Sequence, residues 1–255
     1  MSEEAILATS ADYPRETGGV QRRDRFFLGM SATLLSILLI GFAPTLYLRV
    51  FFEAPPIPLY LHVHGIVVTS WFVWLVLQAS LVHVRRTDLH RRIGLAGVGI
   101  AVAVVIAGPM ATLNVAPRLV TNGVELEPLV LIISWVVSLN STMVLGFVIF
   151  LCVALSLRRR PNMHKRFMLF ASLSLIPPAV ARISFWPIFS WAEEPPLVTG
   201  GCLLLLAPMI VHDLIVEKHL HTATVLGSLG FALIMLVPLA VRNAEFIQAF
   251  VRGSA

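Results

Sequence analysis

Histidine is the chemically informative residue of this 255-residue chain, and six of its eight histidines (83, 90, 164, 212, 219 and 221) fall beside basic turns on one side of a series of apolar runs. Two of the turns repeat. RRTDLHRRIGLA at 85–96 and RRPNMHKRFMLF at 159–170 share Arg-Arg, an Asp or Asn, a Leu or Met and then His-basic-Arg, at an offset of 74 residues. A third turn, EKHLHTATVLG at 217–227, keeps a basic residue and Leu-His. The repeat places His90, His164 and His221 at one depth, each opening a returning helix. Helix N-termini and the neighbours Arg91, Arg92, Lys165 and Arg166 disfavour imidazolium, and neutral imidazole is the form that ligates metal. Asp213 is the carboxylate set inside an otherwise apolar run, where a charge faces the bundle rather than lipid. His90, His164, His221 and Asp213 thus form a candidate site for a divalent metal, zinc or iron. Glu217, one helical turn from Asp213, is an outer acid for it. The competing reading is structural: basic turns are ordinary cytoplasmic connections, and Asp213 pairs with an Arg.

Two further constellations offer cofactor chemistry. His83 and His212 lie one turn inside the same boundary, and two histidines on facing helices at equal depth are what a b-type haem requires. At the opposite end, His62 and His64 follow Pro55, Pro56 and Pro58, about 28 Å by helical rise from His83. Residues two apart in a helix face different ways, so one of the pair points inward, and His64, followed by Gly65, is the better candidate. Arg182 comes just after Pro177-Pro178, which breaks the backbone ladder, about 24 Å by helical rise from Arg166. Its guanidinium can clamp an anion such as a substrate carboxylate or haem propionate, or pair with Glu53, Glu193 or Glu194.

These residues need helices to carry them. With 57% hydrophobic and 13% charged residues, against roughly 25% charged in soluble domains, the chain is not a soluble globule. Its net charge of +5 is no nucleic-acid footprint, because the basic residues punctuate apolar runs. Seven charge-free runs (26–48, 54–84, 93–117, 128–157, 167–181, which resumes after Arg182, 195–212 and 219–241) stand against the roughly 20 apolar residues that cross a bilayer. They are continuous rather than alternating, so helix satisfies their backbone. The expected fold is all-α, a seven-helix transmembrane bundle of three hairpins plus an extra first helix. One side of the runs holds 14 Lys and Arg and the other holds 4, which makes the N-terminus cytoplasmic in a cell (inner) membrane. The expected organisation is a cytoplasmic tail over 1–25, the helical domain over 26–242 and an external tail over 243–255.

The strings LHRRIG (89–94), HKRFM (164–168), PAVAR (178–182) and HDL with LHTAT (212–224) resemble signatures of a group of bacterial multi-pass membrane proteins without an assigned activity. The resemblance covers the second to seventh runs and implies that His64, His90, His164, Arg182, Asp213 and His221 are the functional positions. Thr222 departs from it, standing where Pro often follows the His. The first expectation is therefore an integral membrane metalloprotein acting as an oxidoreductase or hydrolase on a lipophilic substrate. The alternatives are a haem b redox protein and a non-enzymatic transporter or assembly partner. Membrane lipids are expected partners in each case, and nucleic acid in none.

Overall fold

The computed structural model describes residues 17–52, 56–183, 186 and 195–254. Among them every regular element is helical. In chain order these are α1 (Thr17–Phe42), a π-helical turn (Ala43–Tyr47), α2 (Leu59–His83), α3 (Thr87–Leu113), α4 (Val115–Thr121), a 3-10 turn (Glu127–Leu129), α5 (Val130–Ser156), α6 (Pro161–Ser174), α7 (Pro177–Ile183), α8 (Pro195–Leu204), α9 (Ala207–His212), a second π-helical turn (Asp213–Glu217), α10 (Thr222–Val241) and α11 (Glu245–Gly253). Six spans are long and apolar enough to cross a membrane. A seventh forms if α6 and α7, bent by 48° at Leu175-Ile176, count as one. The protein is a multi-pass membrane helix bundle.

Helix α6 is its centre. Phe167 and every residue from Leu169 to Ser174 are buried, with Met168 half-buried between them, and a helix segment buried on nearly every face belongs inside its bundle. The other long helices surround it. α1 packs on α2 and α7, α2 on α3, α3 on α5, α5 on α10, α10 on α8 and α8 on α7. Trp71 of α2, 2% exposed, donates its indole N–H to Ser172 Oγ on α6 at 3.1 Å. The outward faces carry Ile66, Val102, Leu229 and Leu233, all more than half exposed, as lipid-facing positions should be.

Small residues and prolines set the details. Gly41 of α1 lies so close to the Ala179 carbonyl of α7 that a Cβ there would overlap it, the close approach that glycine permits between membrane helices. Pro44 cannot donate to the carbonyl four residues back, Ile40, which instead receives the Trp186 indole N–H at 3.0 Å. Pro238 in α10 likewise leaves the Ile234 carbonyl, which takes the Thr142 hydroxyl at 3.1 Å. In hydrocarbon no water can satisfy such groups, so neighbouring side chains do.

Three boundaries differ from the sequence expectation. Helix α1 begins at Thr17, inside the expected tail, because Gln21, Arg22, Arg23 and Arg25 are good helix formers. The sixth run divides into α8, α9 and the π turn. Beyond Val241 the chain forms α11, whose Ile247 and Val251 are buried while Phe246 and Phe250 remain outside. Two apolar stripes on one short helix are invisible to a span-length window.

Candidate functional site

At the inner end, the second turn of α6 presents Arg166, 1% exposed, to the hairpin between α9 and α10. Its Nη2 reaches Asp213 Oδ1 at 2.5 Å and Glu217 Oε1 at 3.5 Å. Nε donates to Thr224 Oγ1 at 3.1 Å, and Nη1 donates to the Asn162 carbonyl at 3.1 Å. Asp213 Oδ2 accepts the backbone N–H of His221 at 3.0 Å. Lys165 lies over the Phe27 ring at 4.4 Å. One guanidinium thus ties the central helix to the last hairpin through two helix ends and a π turn.

The four-ligand cation site does not assemble in this geometry. Both Asp213 oxygens are taken, one by Arg166 and one by the His221 amide. His221 is the N-cap of α10, and its Nδ1 accepts the Ala223 N–H at 3.1 Å. A neutral imidazole accepting at Nδ1 carries its proton on Nε2 and has no lone pair left for a metal. Burial, and after it the charge of Arg166, holds the His221 pKa below its ordinary value. Among the described residues no three His, Cys, Asp or Glu side chains are placed to hold a metal ion. His221 also breaks the register of the repeat: His90 and His164 are each the fourth residue of their helix, whereas His221 precedes the first.

His90 and His164 each lie in the first turn of a helix at the same end of the bundle, those of α3 and α6. His164 Nδ1 lies 2.8 Å from the Ala154 carbonyl and donates to it, leaving the Nε2 lone pair available. His90 Nδ1 is buried without a partner. The two histidines considered for a haem, His83 at the end of α2 and His212 at the end of α9, sit in different surroundings. His212 stacks on Phe26 of α1 with ring centroids 4.0 Å apart, and α1 packs directly on α2, which carries His83. His212 Nδ1 lies 3.5 Å from Asp213 Oδ1, which engages that ring edge at the inner clamp.

The outer end is differently charged. Arg182, in the last turn of α7, lies 4.5 Å over the Phe42 ring of α1 and donates to the Pro178 carbonyl at 3.2 Å. Arg118, on α4 just beyond the end of α3, and His64, in the first half of α2, lie toward the same end of the bundle as Arg182. Among the described residues no carboxylate pairs with Arg182 or Arg118. Glu53, Glu193 and Glu194, the partners considered from sequence, lie outside the described residues. His64 Nδ1 is buried with no hydrogen-bond partner. His64 and Phe42 line one small cavity, and a cleft of about 310 Å³ adjoins it between the π turn of α1 and α2. His62 lines that outer cleft, with Nδ1 3.3 Å from the Pro58 carbonyl.

Sequence reasoning placed His64 and Arg182 at this end but missed Arg118, which entered only as one of four external charges. It also missed the π turn. Pro44 was the available signal for that turn, since a proline one residue inside a helical continuation often marks a local irregularity. Comparison with protein-family models, with curated proteins and with solved structures gives no significant match. Function is therefore argued from the geometry.

Proposed function

We propose that this multi-pass membrane protein binds an anionic amphiphile at the outer end of its bundle, with His64, Arg118 and Arg182 around the anionic head. The carrying observation is Arg182, held 4.5 Å over the Phe42 ring beside the cavity that His64 lines, with no carboxylate partner among the described residues. A guanidinium within the bilayer costs roughly 2.5–3.5 kcal/mol on insertion scales, and a second one toward the same end adds repulsion. A bound carboxylate or phosphate offsets both, and the planar donor fork of arginine suits either anion. The inner end, where Arg166 is neutralised by Asp213 and Glu217, is read as a structural clamp.

Equilibrium binding of radiolabelled dodecanoate to the full chain in neutral-lipid nanodiscs tests this. Binding should saturate and weaken about tenfold or more in Arg182→Gln, since a charge-assisted hydrogen bond contributes roughly 1.5–3 kcal/mol. Arg182→Lys should recover part of it, and Arg242→Gln should leave it unchanged. Non-saturable uptake, or Arg182→Gln equal to wild type with an unchanged melting curve, overturns the reading.

The cation reading is retained in a two-histidine form, which the His90 and His164 pair favours. A ligating His commonly donates its other ring N–H to a backbone carbonyl, as His164 does to Ala154. Zinc or iron would then be completed by water rather than by His221 or Asp213. Elemental analysis should find metal that His164→Ala loses and His221→Ala keeps. Absence of metal from the wild-type protein after saturation with zinc ends this second reading.

A further inference from the structure

Resting on the anion reading above, we infer that the cleft between the π turn of α1 and the outer half of α2 is a lateral passage. Through it a single-chain carboxylate amphiphile reaches His64 and Arg182 from the outer leaflet, with Leu46 as its gate, seated over Gly65.

The observations form a series. The outer chamber, about 310 Å³, stands at the low end of the range of roughly 300–1,000 Å³ for small-ligand pockets, which suits one chain rather than two. Ile66, 66% exposed, lines it, so the chamber opens to the side. Its lining runs as far as Thr69 and Ser70, and Thr69 is about 15 Å by helical rise from the outer start of α2 at Leu59. That depth lies within the hydrocarbon of the outer leaflet. Behind it is a second cavity of about 20 Å³, lined by Phe42 and His64, a volume that holds little more than one water.

The two chambers share four wall residues: Leu46, Tyr47, Gly65 and Thr69. They are therefore successive, with Leu46 and Gly65 at the neck. A Cβ on Gly65 would meet Leu46 Cδ2 at 2.6 Å. The absence of a side chain there is thus what lets the Leu46 side chain occupy the neck. Leu46 sits in the π turn, a local widening of the helix that recurs at functional sites. Tyr47 of the same turn is tied to Thr69 by a hydroxyl–hydroxyl bond of 2.6 Å, and Thr69 donates to the Gly65 carbonyl. Tyr47 is consequently the donor to Thr69, and the pair fixes the turn to α2 across the neck. The inner cavity ends on His64 and on the Phe42 ring, against which Arg182 lies at 4.5 Å, and that polarity selects an amphiphile with its anionic head inward.

The test is fluorescence titration of the full chain in nanodiscs with cis-parinaric acid and, separately, with its methyl ester. The acid should bind at least tenfold tighter than the ester. Gly65→Leu, which fills the neck, should weaken acid and ester alike by tenfold or more. Leu46→Ala, which opens it, should tighten or accelerate acid binding severalfold. Arg182→Gln should bring the acid down to the ester's affinity without altering the ester. Melting curves of each variant identify any that fail to fold, and because the two neck variants act in opposite directions, misfolding cannot mimic the pattern. If Arg182→Gln weakens the acid while both folded neck variants leave it unchanged, the basic site stands and the passage is overturned. If the neck variants act but acid and ester bind equally, the passage stands and the anion reading falls. A two-chain phosphatidic acid competing as well as the single-chain acid overturns the assignment of ligand class.

Discussion

Asp213→Asn removes one negative charge from the inner clamp while keeping the shape of the side chain, and the structure sets the size of the response. Arg166 and Asp213 are each 1% exposed, so neither is screened by water, and removing one partner of such a pair costs about 3–5 kcal/mol because the other charge is left buried. Two features pull the loss toward the lower figure. Asn keeps an oxygen for the His221 amide, and Glu217 Oε1 stays 3.5 Å from Arg166 Nη2. The expected loss is about 3 kcal/mol, read by reversible unfolding in mixed micelles of SDS and mild detergent. The double variant Arg166→Met, Asp213→Leu removes both charges and should return to within about 1 kcal/mol of wild type, since well-packed apolar replacements of buried ion pairs are often neutral. A loss below about 1 kcal/mol in Asp213→Asn would refute the clamp. So would a double variant as unstable as the single one.

His221 gives a pH signature. Its folded-state pKa is depressed by burial and then by Arg166, with Asp213, Glu217 and His219 as the other charged or titratable neighbours. The unfolded chain, near pKa 6.5, therefore takes up its proton first. Stability should be full above about pH 6.5 and fall below it by at most about 1.4 kcal/mol per pH unit. His221→Asn, an N-cap that does not titrate, should flatten this slope between pH 7.5 and 5.5; an unchanged slope assigns it elsewhere. Gly227→Val should cost about 1–3 kcal/mol by overpacking, because a Cβ at Gly227 overlaps the Phe170 ring of the central helix; an unchanged melting temperature would show that α10 can shift freely. Cysteines introduced at 86–90 and 160–164 should label from the cytoplasmic side and those at 118–124 from outside. External labelling of 160–164 would reverse the orientation.

The spans were legible because the continuous apolar runs exceed what a soluble core helix needs, and the inner turns because Arg-Arg and His recur at a fixed offset. The central position of α6 was not. Its run is the shortest and follows Arg166, so composition gives no hint that the helix is buried on nearly all faces; only its packing against α1, α5 and α10 does. Asp213 was correctly read as facing the bundle. Its partner was not separable by sequence, because Arg166 and three histidines all lay at the same depth, and Arg166 reached it first. The tautomer of His221 depends on a single backbone N–H, that of Ala223, which no spacing rule encodes. At the outer end, His64 and Arg182 were visible as polar residues out of place in apolar surroundings. The cleft beside them depends on a missing side chain at Gly65 and a widened turn at Ala43–Tyr47, features of shape rather than of residue type.

Photolabelling tests the outer site most directly. A dodecanoate bearing a diazirine on its chain would be activated in nanodiscs containing the full chain, and the modified residues mapped by mass spectrometry. Labelling should concentrate on 43–47 and 65–70 and be displaced by unlabelled dodecanoate but not by its methyl ester. Labelling spread over the lipid-facing positions of α10, such as Leu229 and Leu233, and indifferent to either competitor would contradict an anion site at the outer end of the bundle.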